Sequence, residues 1–242
     1  MKNERLKNGK FYHVYNRGNN RRDLFKEASD YEHFLKLYDK FISPIAETYA
    51  WVLMPNHFHL MVKIKENIVY KYSREDSKSK SDSENWFKEH KWETVPVAGI
   101  MSIEKSKIPA PHKHFAHLFN AYARYFNTYY ESSGSLFERP FSRKFVDTKS
   151  YRKNLILYIH DNSVHHGFCN HPLEYPWSSY ISFLSDKSTR IMRKEVIEMF
   201  GNRKSFKTSH HEKQDIQIIE RWLNLDTVDY VVEGTKNNEN KI

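Results

Sequence analysis

The sequence predicts an α+β fold, a split βαβ arrangement in which an antiparallel sheet carries its helices on one face, with a C-terminal helical extension. Three observations predict it. Four short segments have strand composition or alternate apolar and polar residues. Two longer segments repeat apolar residues at three- and four-residue steps. The six fall in the order β-α-β-β-α-β, ahead of one more helix. The chain has 242 residues, room for one ordinary core with an appendage, and its 39% hydrophobic and 15% aromatic content is too high for a disordered chain.

Phe11 to Asn16 (FYHVYN) alternates and is rich in β-formers, and Gly18-Asn19-Asn20 after it is turn chemistry. Ser29-x-x-Glu32 has capping-box spacing and opens a helix with Tyr31, Phe34, Leu35, Tyr38 and Phe41 on its apolar face; Pro44 lies beyond its end. Glu47 to Met54 and His57 to Ile64 read as strands joined through Pro55-Asn56. Between 65 and 111 the character changes to an insert whose middle, Ser73 to Asn85, reads as a mobile loop. A helix fits His112 to Glu131, with Phe115, Leu118, Phe119, Tyr122, Phe126 and Tyr129 on one stripe. A strand follows within Leu136 to Val146, and Asp147 or Thr148 caps a helix running to about Asn162. This is the ferredoxin-like order. Residues 1–165 form the sheet domain, and 166–242 hold a Pro- and aromatic-rich connector, helices near Arg193–Phe200 and Gln214–Asn224, and a polar tail.

The net charge of +9 and pI near 9.3 favour a polyanionic partner, because each neutralised phosphate releases counterion. The lone cysteine, Cys169, excludes an internal disulfide and a cysteine-based zinc cluster. No run reaches the roughly 18 apolar residues of a membrane helix, so the expectation is a cytoplasmic protein with no membrane partner.

In MPNHFHLMVKI, His57 and His59 stand two apart on a predicted strand, so both imidazoles leave the same face and Phe58 the other. Two adjacent imidazoles suit a divalent ion with open positions, and they also suit a solvated sheet face. In YRKNLILYIHDN, residues 151, 154, 155, 158 and 162 share a helix face, which makes Tyr158 and Asn162 neighbours one turn apart. A phenol with a pKa near 10 attacks phosphate only if the target is polarised, as a metal would do. By spacing alone Tyr158 reads first as one more core aromatic. Nearly a hundred residues separate it from the histidines, and spacing does not join them.

Five segments together resemble the REP-associated branch of the single-tyrosine HUH transposases: YHVYNRGNNRRDLF (12–25), MPNHFHLMVK (54–63), YARYFNTYYESSGSLFERPF (122–141), YIHDNSVHHGF (158–168) and EYPWSSY (174–180). They span most of Tyr12 to Tyr180 in family order. The resemblance implies that residues 1–165 are an HUH-type catalytic domain, with His57 and His59 as metal ligands, Asn162 as the third ligand and Tyr158 as nucleophile. It implies Mg²⁺ or Mn²⁺ and no nucleotide cofactor. The implied substrate is single-stranded DNA beside a small hairpin, cut through a 5′-phosphotyrosine link with release of a 3′ hydroxyl that permits rejoining during transposition. A homodimer is common in the wider group. One departure stands out: members often carry Asn-Pro after the tyrosine helix, and here it is Asn162-Ser163.

Arg17, Arg21, Arg22, Arg139, Arg143, Lys144, Arg152 and Lys153 are candidates for a basic wall holding DNA phosphates, and a solvated surface explains each singly as well. Trp51, Trp177 and Tyr180 read as packing residues, with base stacking as the alternative. His160 points away from Tyr158 and reads as packing; His165, His166, Cys169 and His171 match zinc spacing poorly. Two functional readings other than a strand-transferring enzyme stand: a domesticated protein that binds DNA hairpins or repeats without catalysis, and a metal-dependent hydrolase in which the histidines activate water.

Overall fold

The computed structural model describes residues 5–70, 94–98 and 107–211. The loop expected at Ser73 to Asn85, the helix expected at Gln214–Asn224 and the polar tail lie outside the described residues. Strand β1 is Phe11–Arg17, helix α1 Ala28–Phe41, and strands β2 and β3 are Ala46–Met54 and His57–Ile64. A small ribbon pairs β4 (Ile68–Tyr70) with β5 (Thr94–Pro96). Helix α2 is Pro111–Tyr129, strand β6 Ser142–Val146 and helix α3 Lys149–His165. Helices α4 (Tyr180–Leu184), α5 (Arg193–Met199) and α6 (Arg203–His211) follow. Among the described residues no helix is long and apolar enough to cross a membrane.

The main sheet has the order β2-β3-β1-β6 with all neighbours antiparallel, which is the split βαβ topology. Alternation divides its side chains between two cores. Tyr12, Val14, Phe58, Leu60 and Val62 face α1 and α2, where Phe58 packs 5.3 Å from Phe34 and 5.6 Å from Phe119 between ring centroids. The two helices of the split unit thus share one face, as expected. On the opposite face Phe11, Val52, Met54, Met61 and Val146 meet α3 and the C-terminal helices. The extension covers the second face of the sheet, and residues 175–179 are tied to β2 by backbone bonds from Leu53 to Trp177 (2.9 Å) and from Ser179 to Trp51 (2.9 Å).

Two local expectations shift, and a third is narrowed. The capping box of α1 lies at Glu27 and Asp30, not at Ser29 and Glu32. Asp30 is fully buried, and besides accepting from the Lys26 and Glu27 backbone it accepts from the Tyr125 and Tyr130 hydroxyls of α2 and its exit (3.1 and 2.7 Å). That carboxylate joins two helix ends, which explains why the cap sits there. The strand expected within Leu136 to Val146 lies at Ser142–Val146, past Pro140, which has no N–H to give a ladder. Tyr129 leaves the buried stripe of α2, with 57% exposure, since the last turn runs past the sheet. Trp177, by contrast, stacks on Tyr31 at 4.4 Å, and Tyr180 is buried, so both pack as expected.

Phe58 fills the space between the sheet and both helices. Phe58→Ala is expected to lower unfolding stability by about 3–5 kcal/mol, the usual cost of removing a fully buried ring. Urea denaturation measures it; a loss under about 1 kcal/mol would mean that this core does not hold β3 in place.

Candidate active site

The site starts from the alternation of β3. His57 and His59 leave the face opposite Phe58, and at 3% and 7% exposure they are buried under α3 and not on a solvated sheet. Their rings lie edge to face, 5.3 Å apart. Beside β3, strand β1 places Arg17 opposite His57 and Tyr15 opposite His59, so Arg17, Tyr15 and His13 share the histidine face.

Helix α3 crosses this face. Thr148 caps it by accepting from the Tyr151 amide (3.1 Å), which fixes where its turns begin. Three turns on, the Tyr158 ring stands edge-on to His59 at 5.4 Å and to His13 at 6.2 Å. Asn162, one turn later, donates its Nδ2 to the Tyr158 carbonyl at 2.6 Å, and its side chain acts on the His57 ring. The structure therefore brings His57, His59, Tyr158 and Asn162 to one buried place. Ser163 lets α3 continue to His165 where proline would have fixed the exit, and its hydroxyl donates to the His160 carbonyl (3.2 Å).

Burial decides the protonation of the imidazoles. Desolvation first, then the neighbouring rings, holds His57 and His59 well below the usual histidine range, so both are neutral. His57 Nδ1 lies 2.7 Å from Asn56 Oδ1, and since an amide oxygen only accepts, the ring N–H donates. His59 Nδ1 pairs with His13 Nε2 at 2.9 Å. With both Nδ1 atoms engaged, the Nε2 atoms are the nitrogens suited to a ligand. Two neutral imidazoles and an amide oxygen form a donor set that fits a divalent ion. Among the described residues no group of three His, Cys, Asp or Glu side chains is arranged to hold one, so any ion here rests on this two-histidine set plus neutral oxygens.

The eight basic candidates do not form one wall. Arg17 lies on the site face and pairs with Glu138 at 2.5 Å, and Lys144 lies opposite His13 on β6. Arg143 points to the other face, 4.9 Å over Phe141, and Arg22 lies over Phe126 of α2. Arg152 and Lys153 project from α3 onto Phe11 and Phe200, at 3.8 and 5.1 Å. Arg21 and Arg139 are exposed at the two loops flanking the Arg17 end of β1. Sequence reasoning missed His13, Tyr15 and Asn56 altogether. The alternation of FYHVYNR contained the signal for the first two, but their value depends on the β1–β3 register. His166, weighed only for zinc, caps α3 with its ring 5.2 Å from His57. His160 is buried against His210 and Ser179, both at 2.9 Å, and serves packing.

Compared with solved structures, the chain is similar to one described as a REP-associated tyrosine transposase bound to a REP hairpin, at 16% identity, covering 77% of this chain and 85% of that one, with a TM-score of 0.47. No family model matches the sequence, and no curated protein matches it.

The buried imidazoles predict acid sensitivity. Burial lowers His13 to about 3 and His114, His166 and His210 to about 4. An unfolded imidazole titrates near 6.5, so between those values the unfolded chain holds more protons. Their stabilising share is complete above about 6.5 and is lost as pH falls toward about 4. Melting temperature should drop between about pH 7 and pH 5; a flat or rising profile would contradict neutral buried rings.

Proposed function

We propose that this chain is a metal-dependent enzyme that cuts and rejoins single-stranded DNA beside a hairpin, as the resemblance to HUH transposases implies. The observation that carries the reading is the meeting of His57, His59, Asn162 and Tyr158 from two segments nearly a hundred residues apart. A buried patch of four such groups is costly for a fold with no use for it. The ordered set of five motifs points the same way.

In this reading Tyr158 Oη attacks a backbone phosphorus in line with the bond to the 3′ oxygen. The phenolic proton passes to solvent as the P–O bond forms. The bond to the 3′ oxygen breaks, that oxygen takes up a proton as a free hydroxyl, and the 5′ phosphate stays on the tyrosine. A second 3′ hydroxyl reverses the sequence, so the bond energy is kept and no nucleotide cofactor is needed. His57, His59 and Asn162 would hold Mg²⁺ or Mn²⁺, which would supply charge withdrawal at the reacting phosphate. The helix turn from Tyr158 to Asn162 fixes phenol and amide relative to each other, and burial under α3 limits water that would hydrolyse the link. Arg17, Lys144, Arg21 and Arg139 are the basic residues best placed to steer the DNA.

With labelled hairpin-bearing single-stranded DNA and Mn²⁺, the wild-type chain should give a denaturant-resistant protein–DNA adduct. Tyr158→Phe should give none, and His57→Ala or His59→Ala should reduce it on the order of a hundredfold or more. An adduct that survives in Tyr158→Phe rules the assignment out. Tight DNA binding with no adduct under any divalent ion would favour the binding-only protein.

A further inference from the structure

The His13–His59 contact admits only two arrangements. His13 is fully buried on the site face of β1, with its Nε2 2.9 Å from His59 Nδ1. A contact of that length between two ring nitrogens holds one proton, and in a neutral pair each ring carries one. If His13 donates it, the second nitrogen of His59, Nε2, bears the other proton and has no lone pair to offer. If His59 donates it, His59 Nε2 is a free lone pair and the proton of His13 sits on Nδ1. That Nδ1 is buried and has no hydrogen-bond partner among the described residues. Either way His13 leaves one buried polar atom unmet, a cost that a fold retains where the ring is used.

We infer that His13 is a positioning residue that accepts the Nδ1 proton of His59 and thereby fixes the tautomer in which His59 Nε2 can bind a metal ion. This rests on the proposed metal site and assigns a part of it to β1. Asn56 does the same for His57 from the hairpin turn, through its Oδ1 at 2.7 Å. The two ligands of one strand are thus oriented from opposite sides, one by the neighbouring strand and one by the turn that starts their own. Outer partners of this kind typically set metal affinity by about 10–100-fold without touching the ion. The Tyr158 ring lies edge-on to both His13 and His59, so a turn of either imidazole would also disturb the phenol.

The test uses the full chain. Long-range ¹H–¹⁵N correlation on histidine-labelled, Mg²⁺-loaded protein should show His59 protonated at Nδ1; protonation at Nε2 overturns the inference. Free Mn²⁺ measured by electron paramagnetic resonance gives the affinity with no DNA present. His13→Leu, which keeps volume and removes the acceptor, should weaken Mn²⁺ binding about 10–100-fold. His13→Gln, whose amide oxygen can accept at similar reach, should restore most of it. If His13→Leu does not fold, the correlation spectrum and the glutamine variant decide, and a glutamine variant as weak as His57→Ala counts against the role. Mn²⁺ binding that needs His57 but is unchanged in His13→Leu refutes the positioning role alone. Failure of the wild type to bind Mn²⁺ removes the metal reading and this inference with it.

Discussion

The site depends on the register of β3 in the middle of the sheet. Side chains alternate, so a slip of one residue would turn Phe58 toward α3 and both histidines into the aromatic core. Phe58 prevents this by filling a space between α1 and α2 that no imidazole suits. The turn at Pro55-Asn56 adds a second pin. Its carbonyls accept from Gly18, Leu24 and Phe25, fastening the start of β3 to the loop after β1. Gly18 has to be a glycine there, since a Cβ would fall on the carbonyl oxygen of Arg22. The pins and the site are therefore the same few residues seen from two faces.

Much of this was legible. Period-two alternation located β1, β2 and β3 to within a residue or two, and three- and four-residue spacing located α1, α2 and α3. The face shared by His57 and His59, and the one shared by Tyr158 and Asn162, follow from the same periods. Local spacing could not supply contacts made across the sheet. His13 matters because β1 pairs with β3 in one register, and Asp30 caps α1 because two tyrosines of a distant helix need its oxygens. Helix α6 is a different case: with only Phe206 and His210 buried, its nine residues are too polar for an apolar stripe to stand out.

Charge is arranged in a graded way around the site. Its centre holds neutral rings and an amide, kept neutral by burial. Cations begin one residue out, with Arg17 opposite His57 and Lys144 opposite His13, and the chain as a whole carries +9. A surface of this sign draws a polyanion from a distance. Several of the remaining arginines and lysines lie over aromatic rings, where they cover apolar surface as well as carrying charge.

The buried line from Ser179 through His160 to His210 reaches the far side of the tyrosine helix. His210 continues it to the Phe206 carbonyl of α6, and the Ser179 hydroxyl to the Trp51 carbonyl of β2. Helix α3 is thus braced from behind by segments that supply none of its chemistry. A chain ending before residue 200 would keep His57, His59, Tyr158 and Asn162 and lose the buttress that stops their helix from rolling. The extension is then better regarded as the anvil of the site, rigid because its polar core is closed by bonds at every step.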